Sequence, residues 1–213
     1  MGAFESFLQN MATIIGGGED PPTKLKIKDS RGLKTGEYDR GHIENLVKAA
    51  RVTGVDPHSL IALSLQESGI GTAKPKRSQV SSRHSRSSAE NFLGQVVDFQ
   101  PNQEEELNKM SQATGIAPAY LKPAIVLRDK LKYAQALGFK GEEMQLQAYN
   151  GYGKLLPQKD ASGKSVPTKY YGMNIPEEGI NMRDNPLYGK RLVELKKDLL
   201  ANEEIRSIVS QKK

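Results

Sequence analysis

The sequence predicts a mainly α fold, and three observations carry that prediction. Apolar residues recur with a 3.6-residue period along several segments. Helix start and stop signals bracket those segments, as Asp56-Pro57 and Gly69 do for one of them. No stretch alternates apolar and polar residues for long enough to build a sizeable sheet, and no internal repeat is present.

Taken in order, Phe4, Phe7, Leu8, Met11 and Ile15 form a short amphipathic stripe, which Gly16-Gly17-Gly18 and Pro21-Pro22 interrupt. Residues 1–36 therefore read as an N-terminal arm and linker. Glu5 and the missing basic n-region argue against a Sec signal. Met1 to Ser6 fits the myristoylation pattern, which is short and requires a eukaryotic context.

From Tyr38 onward Ile43, Leu46, Val47 and Ala50 share one helical face, and Gly54 ends it. Asp56 is suited to an N-cap and Pro57 to the first helical position. Leu60, Ile61, Ala62, Leu63 and Leu65 then make the helix apolar nearly all round, so it belongs in the centre of a core. Residues 72–89 hold Lys74, Lys76, Arg77, Arg83 and Arg86, six serines and no acid, the composition of a solvated loop. Further helices are predicted over 104–114, 123–137, 141–149 and 186–201, the last behind an Asn185 N-cap. Residues 151–185 are rich in Gly, Pro and Lys. The folded domain is read as 37–205, and 206–213 as a basic tail.

Composition narrows the chemistry. With 213 residues, 37% hydrophobic and 26% charged, the chain can bury a core without crosslinks. It has no Cys, which removes disulfides, thiolate metal sites and cysteine nucleophiles. His42, His58 and His84 lack metal-ligand spacing, so no metal and no other cofactor is expected. No apolar run approaches the roughly 20 residues of a membrane span. Ser162-Gly163-Lys164-Ser165 has the tail of a phosphate loop, but Gln158 stands where its first Gly is required. No Gly-x-Ser-x-Gly elbow exists.

The unusual residue is Glu67, an acid at the end of an apolar helix. Gly69 suits the C′ position, so Glu67 falls in the last turn, where the helix dipole and desolvation both disfavour the carboxylate. An acid that keeps its proton near neutral pH is what glycosidic cleavage needs to protonate the leaving oxygen. The ordinary alternative is a helix-terminal Glu pointing into water.

Val55-Asp56-Pro57, the apolar helix ending in Gln66-Glu67-Ser68-Gly69, and the distant Ala148-Tyr149-Asn150-Gly151 together resemble the lytic transglycosylase (SLT) domain of the lysozyme-like superfamily, related to goose-type lysozyme. Phe92-Leu93-Gly94-Gln95-Val96 stands where that family carries a Gly-Leu-Met-Gln-like segment, in rearranged order. Asn185-Pro186-Leu187-Tyr188 introduces a last helix with the family's late Tyr. The resemblance spans roughly 38–200 and implies a lysozyme-like helical domain acting on peptidoglycan glycan strands. It implies Glu67 as sole catalytic acid/base, Ser68 supporting it or the sugar, and Gln95, Tyr149, Asn150 and Tyr188 in the substrate cleft. Buried core tyrosines and a capping Asn are the plain readings of the last three.

In such a family the acid cleaves the MurNAc–GlcNAc bond and the same residue closes a 1,6-anhydro ring. A two-carboxylate hydrolase stays open, with Glu90, Asp98 or Glu104-Glu105-Glu106 as partner. Binding without catalysis is a further alternative, because a net charge of +6 suits nucleic acid or an anionic wall. Nucleic acid is the weaker fit: Glu142, Glu143, Glu177 and Glu178 dilute the charge, and the basic loop has no aromatic residue. The arm and the missing signal suggest delivery by a phage virion or a dedicated apparatus to the periplasm or cell wall. There the domain is either active or a structural component.

Overall fold

The computed structural model describes residues 22–32, 34–70, 93, 99, 101–136, 138–150, 154–155, 158–159, 162, 165–166, 180–181 and 187–211. The N-terminal stripe, the basic loop 72–89, Glu90, Gln95, Asp98 and Asn185 lie outside these residues. The protein is mainly helical, with seven helices among the described residues. They are α1 (Arg40–Thr53), α2 (Pro57–Ser68), α3 (Pro101–Thr114), α4 (Pro118–Ala136), α5 (Glu142–Asn150), α6 (Tyr188–Ala201) and α7 (Glu203–Ser210).

Helix α2 is the centre. Every residue from His58 to Leu65 is buried, as expected of a helix apolar on all sides. Around it pack α1, α4 and α6, while α5 bridges α4 and α6. Asp56 caps its start, accepting the backbone N–H of Ser59 at 2.8 Å. Gly69 ends it in the left-handed conformation (φ 58°, ψ 44°), and its N–H reaches the Leu65 carbonyl. Ile70 follows, also at positive φ (49°), with its N–H on the Ser64 carbonyl at 3.1 Å. A β-branched residue is strained there. Its side chain, 1% exposed, is held in that conformation by the core.

The β content is small. β1 (Lys24–Ile27) pairs antiparallel with β2 (Gly36–Asp39), placing Leu25 opposite Tyr38. The two-residue strands β3 (Lys154–Leu155), β4 (Gln158–Lys159), β5 (Ser165–Val166) and β6 (Ile180–Asn181) pair as β3 with β6 and β4 with β5.

The hairpin corrects the reading of 1–36 as arm and linker: Leu25 and Ile27 belong to the core. Their alternation with Lys24 and Lys26 is a strand signal only four residues long. Residues 206–213 are likewise not merely a tail. Helix α7 runs to Ser210 and buries Ile205 and Ile208, and Asn202 at its N-cap joins it to the Lys26 carbonyl of β1.

Helix starts also move, α3 to Pro101 among them. Helix α4 begins at Pro118 and runs through Pro123, because burying Leu121, Ala124 and Ile125 outweighs the hydrogen bond that an interior Pro forfeits. Helix α6 begins at Tyr188 behind Leu187, which makes no side-chain cap, and the expected N-cap Asn185 lies outside the described residues. No helix among the described residues is long and apolar enough to cross a membrane.

Candidate active site

Three helices bring three predicted residues together. Glu67 stands in the last turn of α2, Tyr188 opens α6, and Tyr149 comes from the end of α5. The Tyr188 hydroxyl donates to Glu67 Oε1 at 2.5 Å. Tyr149 lies face to face with Tyr188, their planes 6° apart and centroids separated by 6.4 Å. The two rings are offset-stacked.

Helix packing makes the arrangement possible. Gly189 follows Tyr188 where α6 crosses α5, and a Cβ on it would fall 2.0 Å from the Glu143 carbonyl oxygen. Only Gly permits that approach. The buried Gln147 accepts the Gly189 N–H at 2.8 Å, which satisfies one free donor of the first turn of α6. At the far end, Lys196 of α6 pairs with Asp56 at 3.0 Å and with Glu142 of α5. One ammonium thus ties together the starts of α2 and α5. Its neighbours hold Asp56 below the usual carboxylate range, although burial acts the other way.

The electrostatics suit an acid. Burial pushes Glu67 above the usual carboxylate range, while the Tyr188 hydroxyl and the positive charge of Lys34 act against that shift without cancelling it. Burial, followed by the nearby Glu67 charge, pushes both Tyr188 and Tyr149 well above the ordinary phenol value. Tyr188 therefore keeps its proton and serves as a neutral donor. The helix dipole matters less than the sequence suggests, because Lys34 Nζ donates to the Gln66 carbonyl at the C-terminus of α2, at 3.2 Å.

Ser68 adjoins Glu67 and faces backbone carbonyls. It is 1% exposed, and its hydroxyl reaches the carbonyls of Ser64 (3.1 Å) and Leu93 (3.3 Å). It joins α2 to the chain beyond the basic loop and is too deep to meet a sugar. Gln95 is outside the described residues, as is the side chain of Asn150, whose backbone ends α5.

Of the suggested second carboxylates, Glu90 and Asp98 lie outside the described residues. Glu105 pairs with Lys109 on the surface of α3, and Glu106 is held by Arg128 of α4. Both described histidines have local partners. His42 Nδ1 is 2.7 Å from the Tyr120 hydroxyl, and His58 Nδ1 is 3.7 Å from Asp56 Oδ1.

The sequence reading missed Lys34, Gly189 and Lys196. A Gly directly after the candidate Tyr, at a predicted helix start, was the available signal for Gly189. No local signal existed for Lys34, which lies 32 positions from the carbonyl it reaches. No protein-family model matches the chain, nor does any curated protein or solved structure.

Proposed function

We propose that this protein cleaves the glycan strands of bacterial peptidoglycan through Glu67 as a single acid/base, as a lytic transglycosylase with a lysozyme-like domain. The observation that carries the proposal is the pairing of a desolvated Glu67 with a neutral Tyr188 donor at 2.5 Å. A protonated carboxylic acid is an effective proton donor to a glycosidic oxygen only where its environment disfavours the anion.

The reaction conserves its proton. Glu67 gives its proton to the oxygen between MurNAc and GlcNAc, the C1–O bond breaks, and the GlcNAc 4-hydroxyl departs. Positive charge develops at C1 of the MurNAc ring. The Glu67 carboxylate then takes the proton of the MurNAc 6-hydroxyl as that oxygen bonds to C1, giving the 1,6-anhydro sugar and the starting acid. Tyr188 donates to the carboxyl throughout and stabilises it most in its charged interval. The desolvation of Glu67 favours ring closure over hydrolysis.

The test is incubation of purified sacculi with wild type and Glu67→Gln, followed by mass spectrometry of the soluble muropeptides. Wild type is expected to release anhydro-muropeptides, and the variant at least ~10³-fold fewer. Reducing-end products would instead identify a hydrolase. Equal release by both proteins, or none by either, would remove Glu67 from catalysis.

A further inference from the structure

The turn between β1 and β2 is built more firmly than a hairpin connection needs to be. Asp29, 2% exposed, lies inside it and accepts the backbone N–H groups of Arg31 at 3.0 Å and Lys34 at 2.9 Å. Those bonds and the Arg31 guanidinium hold its carboxyl below the usual range, although burial acts against them. Thr35 closes the turn from both sides, its hydroxyl accepting from Asp29 N and donating to Asp29 O. The Tyr38 hydroxyl donates to the Lys34 carbonyl at 2.6 Å. Both backbone groups of Lys34 are therefore pinned, one to Asp29 and the other to Tyr38.

The same turn is anchored to α6, the helix that carries Tyr188. Ser30 donates through its N–H and its hydroxyl to Asp198 Oδ2 at 2.9 and 3.0 Å, and Arg31 pairs with Glu194 at 3.3 Å. On its other side Lys34 Nζ reaches the Gln66 carbonyl, one residue before Glu67. The turn thus spans the two helices that supply the acid and its donor. Titratable groups acting on Glu67 include Tyr188 from α6, Tyr149 from α5 and Lys34 from this turn. Lys34 is the cation among them.

We infer, resting on the proposed function, that Lys34 is a positioning residue for Glu67: a fixed ammonium, delivered by the braced turn, that favours the return of the spent acid as a carboxylate able to accept the 6-hydroxyl proton. A one-residue mechanism needs this balance. Desolvation alone makes Glu67 a good donor in the first half-reaction. It also makes the carboxylate left after protonating the leaving oxygen costly to form, and a nearby cation offsets that cost. An ammonium already bonded to the Gln66 carbonyl reorganises little as the charge appears.

The experiment compares wild type, Lys34→Gln, Lys34→Met and Lys34→Arg, checked for folding by thermal melting. Gln retains a donor for the Gln66 carbonyl but no charge, Met retains neither, and Arg retains the charge. Two readouts are taken on each: the 13C titration of the labelled Glu67 carboxyl, and the pH profile of muropeptide release from sacculi. In Lys34→Gln and Lys34→Met the carboxyl titration and the alkaline limb of the profile are expected to move together to higher pH. Their kcat should fall about three- to tenfold, the scale of one partly screened charge interaction. Lys34→Arg should remain near wild type. A folded Lys34→Gln that titrates and lyses at the wild-type pH would overturn the role of Lys34 alone, whereas an inactive wild type would overturn the proposed function on which it rests.

Discussion

Glu67 and Glu106 are a matched pair with opposite fates. Both are half-buried, both sit on helices, and both accept a hydrogen bond of 2.5 Å, from Tyr188 and from Arg128 respectively. Burial raises the proton affinity of Glu67. Glu106 is held below the usual range, first by its hydrogen bond from Arg128, with a second Arg128 contact to the other oxygen at 2.8 Å. Depth and donor charge decide together: desolvation is the leading influence on Glu67, and the Arg128 hydrogen bond is the leading influence on Glu106. A bidentate guanidinium compensates a carboxylate for the water it has lost, while a phenol supplies one neutral dipole. The α3–α4 end has thus made its acid a structural anion, and the α2–α6 end has strengthened its acid's hold on the proton.

The largest test of that difference is Gly189→Ala. The new Cβ would meet the Glu143 carbonyl at 2.0 Å and force α5 and α6 apart, moving Tyr149 and Tyr188 away from Glu67. Overpacking against backbone is expected to cost about 3 kcal/mol. At roughly 2–4 °C per kcal/mol for a domain of this size, Tm should fall by about 6–12 °C. Muropeptide release should fall with it, while the Glu106–Arg128 pair, on helices α3 and α4, is left in place. A variant with unchanged Tm would show that the two helices have room to spare.

Tyr188→Phe is the more selective cut. It removes the hydrogen bond that lowers the proton affinity of Glu67, so the alkaline limb of the activity profile should move to higher pH. Hydrogen bonds to charged groups contribute about 1.5–3 kcal/mol, which corresponds to roughly a 10- to 150-fold loss in kcat. An unshifted limb at full activity would mean that Tyr188 supports the fold and not the acid.

How far this contrast was legible beforehand depends on how local each cause is. Helix α2, its Asp56 cap, its Gly69 terminus and the odd placement of Glu67 are all written within fourteen consecutive residues, and the structure has each as the sequence predicts. Tyr149 and Tyr188 were legible only through a family resemblance, since nothing near either one shows that they stack. The direction of the Ser68 hydroxyl was not legible, because sequence adjacency to Glu67 says nothing about it; it reaches the Ser64 and Leu93 carbonyls. Strand β1 was missed because four residues are too short for a period to stand out. Lys34 depends on a turn whose organiser, Asp29, looks like any loop aspartate until its burial is known.

The smallest expected effect is also the one that puts both glutamates in a single experiment. Because Glu67 binds its proton more tightly folded than unfolded, its contribution to stability is full below the ordinary Glu value of 4.5 and is lost as pH rises through the higher folded value. Above 4.5 that contribution is progressively lost, so Glu67→Gln should raise Tm relative to wild type at neutral pH, a gain that shrinks as pH is lowered toward 4.5. Glu106 has the reverse sign. Its contribution is present above 4.5 and is lost as pH falls through its lower folded value, so Glu106→Gln should lower Tm at neutral pH and converge on wild type in acid. The Glu106 side chain is 35% exposed, so water screens the pair and the loss should stay within about 1 kcal/mol, or roughly 2–4 °C. Thermal melts of both variants between pH 7 and pH 3.5 would read these slopes directly. Shifts of the same sign in the two variants would mean that depth and donor charge do not separate the two sites, and that Glu67 is no more an acid than Glu106.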